Sequence, residues 1–172
     1  MSYFFTADEH YFHTNIIKYC NRPFKSVEEM DDIIITKHNK VVTNDDTVIH
    51  AGDFTLKSSG IASNYISKLS GHHVFLRGSH DYWIPSHHHE IWEVQIKDQY
   101  IVVCHYAMRT WARSHYNSWN LHGHSHGTLE SQGKQYDIGV DNNNFYPVAF
   151  DDIVKIMKDK PDNINLSRKV KR

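Results

Sequence analysis

A chain of 172 residues, 40% hydrophobic and 23% charged, has the composition of an ordinary globular protein, which excludes disordered and fibrous classes. Its formal net charge of -1 provides no global electrostatic footprint for nucleic acid. No apolar run approaches the ~18 residues of a membrane span, and Met1-Ser2-Tyr3-Phe4-Phe5 lacks the basic start and long apolar stretch of a signal peptide; a cytoplasmic address without membrane contact is expected.

At roughly 100 to 200 residues per domain, the length predicts one domain over residues 1–160, followed by a basic tail at 161–172 that reads as a solvated terminus. Cys20 and Cys104 are too few for a disulfide framework and are expected to be inert core thiols. The anomaly is 15 histidines, because histidine is the commonest metal ligand and a neutral-pH proton carrier.

In chain order, Tyr3 to Ala7 is a short apolar run that predicts a buried strand. Ser26-Val27-Glu28-Glu29 is a capping box, and Met30, Ile33, Ile34, Lys37 and Val41 follow at helical spacing, so an amphipathic helix is expected there. Thr47 to Ala51 reads as a second strand, Ile61 to Leu69 as a helix closed by Gly71, and His73 to Leu76 as a third strand. Tyr100 to Cys104 and Trp119 to Leu121 complete five strands. Residues 129–140 suggest a hairpin turning at Gln132-Gly133. A last helix spans Asp151 to Lys158 and is stopped by Pro161. The expected class is α/β with mixed strands.

Each apolar run is followed at once by ligand-type side chains: Asp8 and His10, Asp53, His80 and Asp81, His105, then His124 and His126. Sites in open α/β sheets form outside the carboxyl ends of strands, so five strand ends are expected to converge on one place. Carboxylates mixed with imidazoles suit Mn²⁺, Fe, Zn²⁺ or Ni²⁺ better than Ca²⁺ or Mg²⁺. Six such ligands oversupply a single ion, whereas two ions about 3.5 to 4 Å apart, sharing a carboxylate and a water, would use them all.

The order Asp8-Glu9-His10, Gly52-Asp53, Gly78-Ser79-His80-Asp81, His105 and Gly123-His124-Ser125-His126 resembles the calcineurin-like metallophosphoesterase superfamily. The stretch from Asp8 to Ile17, with Arg22-Pro23-Phe24, is similar to its small bacterial and phage members, and the resemblance runs from Tyr3 to about Ile153. It implies a four-layer sandwich of two mixed β-sheets flanked by helices. It also implies two divalent metal ions, with Mn²⁺ preferred: Asp8, His10, Asp53 and His126 would hold one, and Asp53, Ser79, His105 and His124 the other. Asp53 would bridge. His80 would give a proton to the leaving oxygen, oriented by a carboxylate for which Asp81 is the candidate. Ser79 stands where the family usually has an Asn ligand, so a weakened second site is expected.

The implied activity is hydrolysis of a small phosphate ester by metal-activated water, with phosphodiester or nucleotide-type substrates favoured because the chain has no large capping domain. A metal-dependent nuclease acting on nucleic acid and a non-catalytic interaction protein on the same fold are the alternatives. His13 is a candidate phosphate contact or a packing residue, and Arg22 a candidate phosphate fork or half of an internal ion pair. His87-His88-His89 reads as a solvated loop. Tyr106, Trp111 and Tyr116 could overhang the site and stack on a nucleobase.

Overall fold

The computed structural model describes residues 1–88 and 90–167; His89 and the basic residues 168–172 lie outside the described residues. Two mixed four-stranded sheets, flanked by helices, make an α/β sandwich. In the first sheet, β1 (Tyr3–Thr6), β2 (Thr47–His50) and β3 (His72–Phe75) run parallel, and the short β8 (Val148–Ala149) pairs antiparallel with β1. The second has the order β4 (Ile91–Ile96), β5 (Gln99–Cys104), β6 (Trp119–His122), β7 (Gln135–Asp137).

The period-2 alternation of apolar side chains decides which face of each strand meets the other sheet. Phe5 and Ile49 from the first sheet pack with Ile101, Val103 and Leu121 from the second, all fully buried. The helix α4 (Phe150–Asp159) adds Ile153 and Met157 to the same core. On the outer face of the first sheet, α2 (Val27–Val41) and α3 (Ser59–Ile66) bury Met30, Ile34 and Ala62 against Tyr11 and Phe54. As the capping box predicts, Ser26 Oγ accepts from the Glu29 amide; the Glu29 carboxylate reaches one residue beyond the N-cap, to the Lys25 amide. The short α1 (Thr14–Tyr19) follows the first loop.

Two features depart from the sequence reading. Residues 129–140 form no hairpin: β7 pairs in parallel with β6, and the Gln132 amide donates to the Gln135 side chain instead of to a facing strand. The unforeseen β4 hairpins with β5 through Lys97, and its residues Ile91-Trp92-Glu93-Val94-Gln95-Ile96 show the alternation that marks a strand. Among the described residues no helix is long and apolar enough to cross a membrane.

Candidate metal centre

The loops after β1, β2, β3, β5 and β6 meet at one edge of the sandwich, and their backbone is unusual. Of the seven side chains expected to hold metal, five stand on left-handed backbone: Asp8 (φ 60°), His10 (54°), Asp53 (58°), His124 (69°) and His126 (47°). Such conformations cost on the order of 1–3 kcal/mol each and persist where the surroundings over-determine them. Here the amides of Asp8 and His10 donate to the carbonyls of Gly52 and Asp53, each at 3.0 Å, and the Asp8 carboxylate accepts from the His124 amide at 2.8 and 3.0 Å. Close approach also excludes side chains. A Cβ at Gly78 would lie 2.4 Å from the Asp53 amide and carboxylate, and one at Gly139 would lie 2.6 Å from Asp8 Oδ2.

The result is two facing sets of ligand atoms, Asp8/His10/His126 and Asp53/His105/His124, each with its atoms within 4.8 Å of one another. Asp53 lies between them, its Oδ2 3.3 Å from His105 Nε2 and 3.7 Å from His10 Nε2. His124 Nδ1 and His105 Nε2 face each other at 3.2 Å. His10 Nε2 is buried and has no hydrogen-bond partner. A buried polar atom left unmade costs about 1–3 kcal/mol, so it calls for a missing group, and a cation answers it. Burial pushes Asp8 up to about 7 and holds His10 far down, in the neutral form that ligates metals. At Asp53 burial would raise the carboxyl, but the hydrogen bond and charge of His105, the charge of His10 and the His80 amide together bring it below the ordinary range. The donor set therefore fits a pair of divalent cations. A third grouping, Cys20, His126 and Asp141, shares His126 with the first. Burial pushes the Cys20 thiol up to about 11, so it stays protonated, and Asp141 is better described as the support behind His126.

The remaining predicted residues divide. Ser79 Oγ lies 3.0 and 3.3 Å from the two Asp53 carboxylate oxygens, beside the second set. The His80 side chain is 40% exposed with Nε2 4.0 Å from Asp53 Oδ2, and its ring centre is 5.5 Å from that of His10. His13 sits half-buried at the rim, Nδ1 3.3 Å from His10 Nδ1 and its ring 6.2 Å from His80.

Asp81 does not orient His80. Its carboxylate is buried and accepts five N–H groups: the amides of Asp53 (2.6 Å), Phe54 (2.9 Å), Thr55 (3.2 Å) and Gly78 (2.9 Å), and the Trp83 indole (3.0 Å). It builds the two loops that carry Asp53 and Ser79, and the carboxylate beside the His80 ring is that of Asp53. Arg22 is likewise no phosphate fork. All five of its donors are used, by the Asp141 carboxylate, the carbonyls of Asp8 and Glu9 and the Met30 sulfur, and the residue is buried. Of the three aromatics expected to overhang, Tyr106 lies against the site, its ring centre 4.8 Å from His105 and 4.6 Å from His124. Trp111 donates its indole N–H to the Ser118 carbonyl, and Tyr116 lines a separate hollow with Tyr100 and Arg113.

Sequence reasoning missed Asp141, whose Oδ2 accepts from His126 Nδ1 at 2.7 Å. It sits in a short turn of helix, Val140–Asn142, after the strand Gln135–Asp137, a place that the expected hairpin over residues 129–140 concealed. It also missed a buried pair beneath the site: Glu9 Oε1 and His50 Nδ1 are 2.5 Å apart, and His50 Nε2 meets His73 Nδ1 at 3.0 Å.

Fold and centre together define a two-sheet α/β sandwich protein with a candidate dinuclear metal centre at the strand ends. The chain belongs to the family of uncharacterized protein MJ1445 of Methanocaldococcus jannaschii, with which it is 31% identical over 161 residues, covering 88% of this chain and 89% of that protein. No family model matches it. It shares its fold with a solved protein of unknown function, AQ665 from Aquifex aeolicus (TM-score 0.70, 22% identity, 90% of this chain and 98% of that one). Vps29 from Entamoeba histolytica, solved as a D62A mutant, is more distant (TM-score 0.48, 16% identity, 81% of this chain and 73% of that one), too far to bear on function.

Proposed function

We propose that this protein is a dinuclear-metal-dependent phosphoesterase of the calcineurin-like superfamily, acting on phosphodiester or nucleotide-type substrates. The observation that carries the reading is the place of Asp53, one carboxylate oxygen of which lies within 3.7 Å of imidazole nitrogens from both ligand sets. Asp8, His10 and His126 would hold one ion and Asp53, His105 and His124 the other, with Ser79 alongside and Mn²⁺ the preferred metal. Two such ions supply an activated water and neutralise charge on the phosphoryl oxygens.

The chain's own groups supply the rest. His80 presents a partly exposed imidazole whose amide is pinned to Asp53 Oδ1 at 2.8 Å, so the ring stands over the site and can give a proton to the leaving oxygen. That assistance is worth typically 10² to 10⁴-fold. His13 at the rim offers a second contact to the substrate.

The test is hydrolysis of generic phosphate monoesters and diesters with Mn²⁺, Ni²⁺, Mg²⁺ or chelator, together with measured metal content, on the wild-type chain and His80→Ala. Metal-dependent turnover that drops at least 100-fold in His80→Ala is expected. Turnover that survives both chelation and the substitution excludes the mechanism, and bound metal without any hydrolysis points to a binding protein on this fold.

A further inference from the structure

Beside the second ligand set lies a cleft of about 240 Å³, whose lining includes Arg77, Ser79, Glu90, His105, Tyr106 and Met108. It adjoins the centre, because its lining includes His105 of the second ligand set and Ser79 beside Asp53. Pockets that take a whole drug-sized ligand run roughly 300 to 1,000 Å³, so this one suits a single ring-bearing portion of a larger molecule.

Its walls have two uncommitted features. Arg77 Nε is buried without a hydrogen-bond partner, and the nearest carboxylate, Glu90 Oε1, stands 3.7 Å from Nη1, beyond hydrogen-bond reach. The guanidinium thus meets Glu90 only loosely and keeps a covered Nε–H unsatisfied, and the side chain is 25% exposed. In the same cleft, Tyr106 leaves 52% of its surface exposed although its ring packs edge-on to His105 and His124. An aromatic ring held in place but left uncovered is a stacking platform.

Both walls are anchored before any ligand arrives. The Cys104 thiol donates to the Tyr106 carbonyl at 2.9 Å, and the Met108 amide donates to Asn120 Oδ1 at 3.1 Å. Next to Arg77, the Gly78 amide is tied to Asp81. Binding here therefore costs little ordering of the loops.

We infer that this cleft is the subsite for the nucleobase of a nucleotide-type substrate, with Tyr106 stacking on the ring and Arg77 donating to its acceptor atoms. A planar heterocycle with in-plane acceptors is the chemistry that uses both features at once, since guanidinium forks suit base-edge acceptors and aromatic side chains suit any base's face. The inference rests on the phosphoesterase reading for its substrate class and adds the residues that select it.

The test titrates the metal-free chain with AMP and with ribose 5-phosphate, following the Arg77 Nε–H and Met108 amide resonances. AMP should shift both and bind roughly tenfold tighter than ribose 5-phosphate, the stacking contribution of one base. Tyr106→Ala and Arg77→Met should each reduce that ratio, and Tyr106→Phe should keep it, with melting temperatures confirming that all three variants fold. If AMP binds no tighter than ribose 5-phosphate, or neither binds, or the preference survives in both Tyr106→Ala and Arg77→Met, the subsite is wrong. Equal affinities alongside intact metal-dependent hydrolysis would sink the subsite alone; chelator-insensitive hydrolysis would sink the phosphoesterase reading and leave the binding ratio standing.

Discussion

Arg22 and Asp141, 119 positions apart, meet in a bidentate ion pair in which Nε donates to Oδ1 at 2.8 Å and Nη2 to Oδ2 at 2.7 Å. The same guanidinium holds the carbonyls of Asp8 and Glu9, and the same carboxylate holds His126, so one pair fastens the first strand-end loop to the last.

Removing one partner of a buried pair strands the other charge, which costs roughly 3–5 kcal/mol. Arg22→Met should therefore lower unfolding stability in denaturant titrations by an amount in that range. A loss under about 1 kcal/mol combined with a raised KM would show that Arg22 serves the substrate after all.

Asp141 fixes the His126 ring by accepting from Nδ1, which leaves Nε2 for the cation. Disturbing such outer partners typically costs 10 to 100-fold in metal affinity. Asp141→Asn should weaken binding at the Asp8/His10/His126 set by that factor in a Mn²⁺ titration while the second set binds as before. Unchanged affinity at both sets would remove the proposed support role.

Ser79 has a short side chain whose hydroxyl is spent on Asp53. In Ser79→Asn an amide oxygen would stand in its place, and the more weakly bound ion should be held more tightly. Calorimetric titration reads the two affinities separately, and identical values in the two chains would refute a weakened second site.

A pH dependence follows from His38, which is buried with its Nε2 at 2.9 Å from the Ser70 carbonyl and held down to about 4, chiefly by burial. Below pH 6.5 the unfolded chain takes up a proton on this ring that the folded chain refuses until about pH 4. The unfolded state then binds more protons, so stability falls as pH drops through that window, by up to about 1.4 kcal/mol per unit. The neighbouring Glu9 and His50 largely cancel: burial raises Glu9 to about 7 and lowers His50 to about 3, so the folded pair keeps on the carboxyl the proton that the unfolded pair carries on the imidazole. His73, also held down to about 4 chiefly by burial, and His10 add slopes of the same sign, so His38→Gln should make the stability profile between pH 6.5 and 4 shallower, by up to about 1.4 kcal/mol per unit, without flattening it; denaturant midpoints read this, and an unaltered slope would assign the effect elsewhere.

What the sequence determined by itself was local in origin. Five strands were legible because runs such as Thr47 to Ala51 and Tyr100 to Cys104 are apolar over a strand's length, and α2 because Ser26 and Glu29 cap an amphipathic stretch. Asp8, His10, Asp53, His105, His124 and His126 were legible as a group because each follows such a run, and sites in α/β sheets gather outside the carboxyl ends of the strands. Tertiary structure alone decided which polar groups serve one another. Whether Asp81 would face His80 or gather the amides of the Asp53 loop, whether Arg22 would face a phosphate or Asp141, and whether β7 would turn back on residues 129–132 or pair with β6 depended on segments distant along the chain. The physical reason is that side-chain periodicity encodes burial residue by residue, whereas a buried donor or carboxylate is satisfied by whichever distant partner packing brings within about 3 Å, and nothing in the local pattern specifies it.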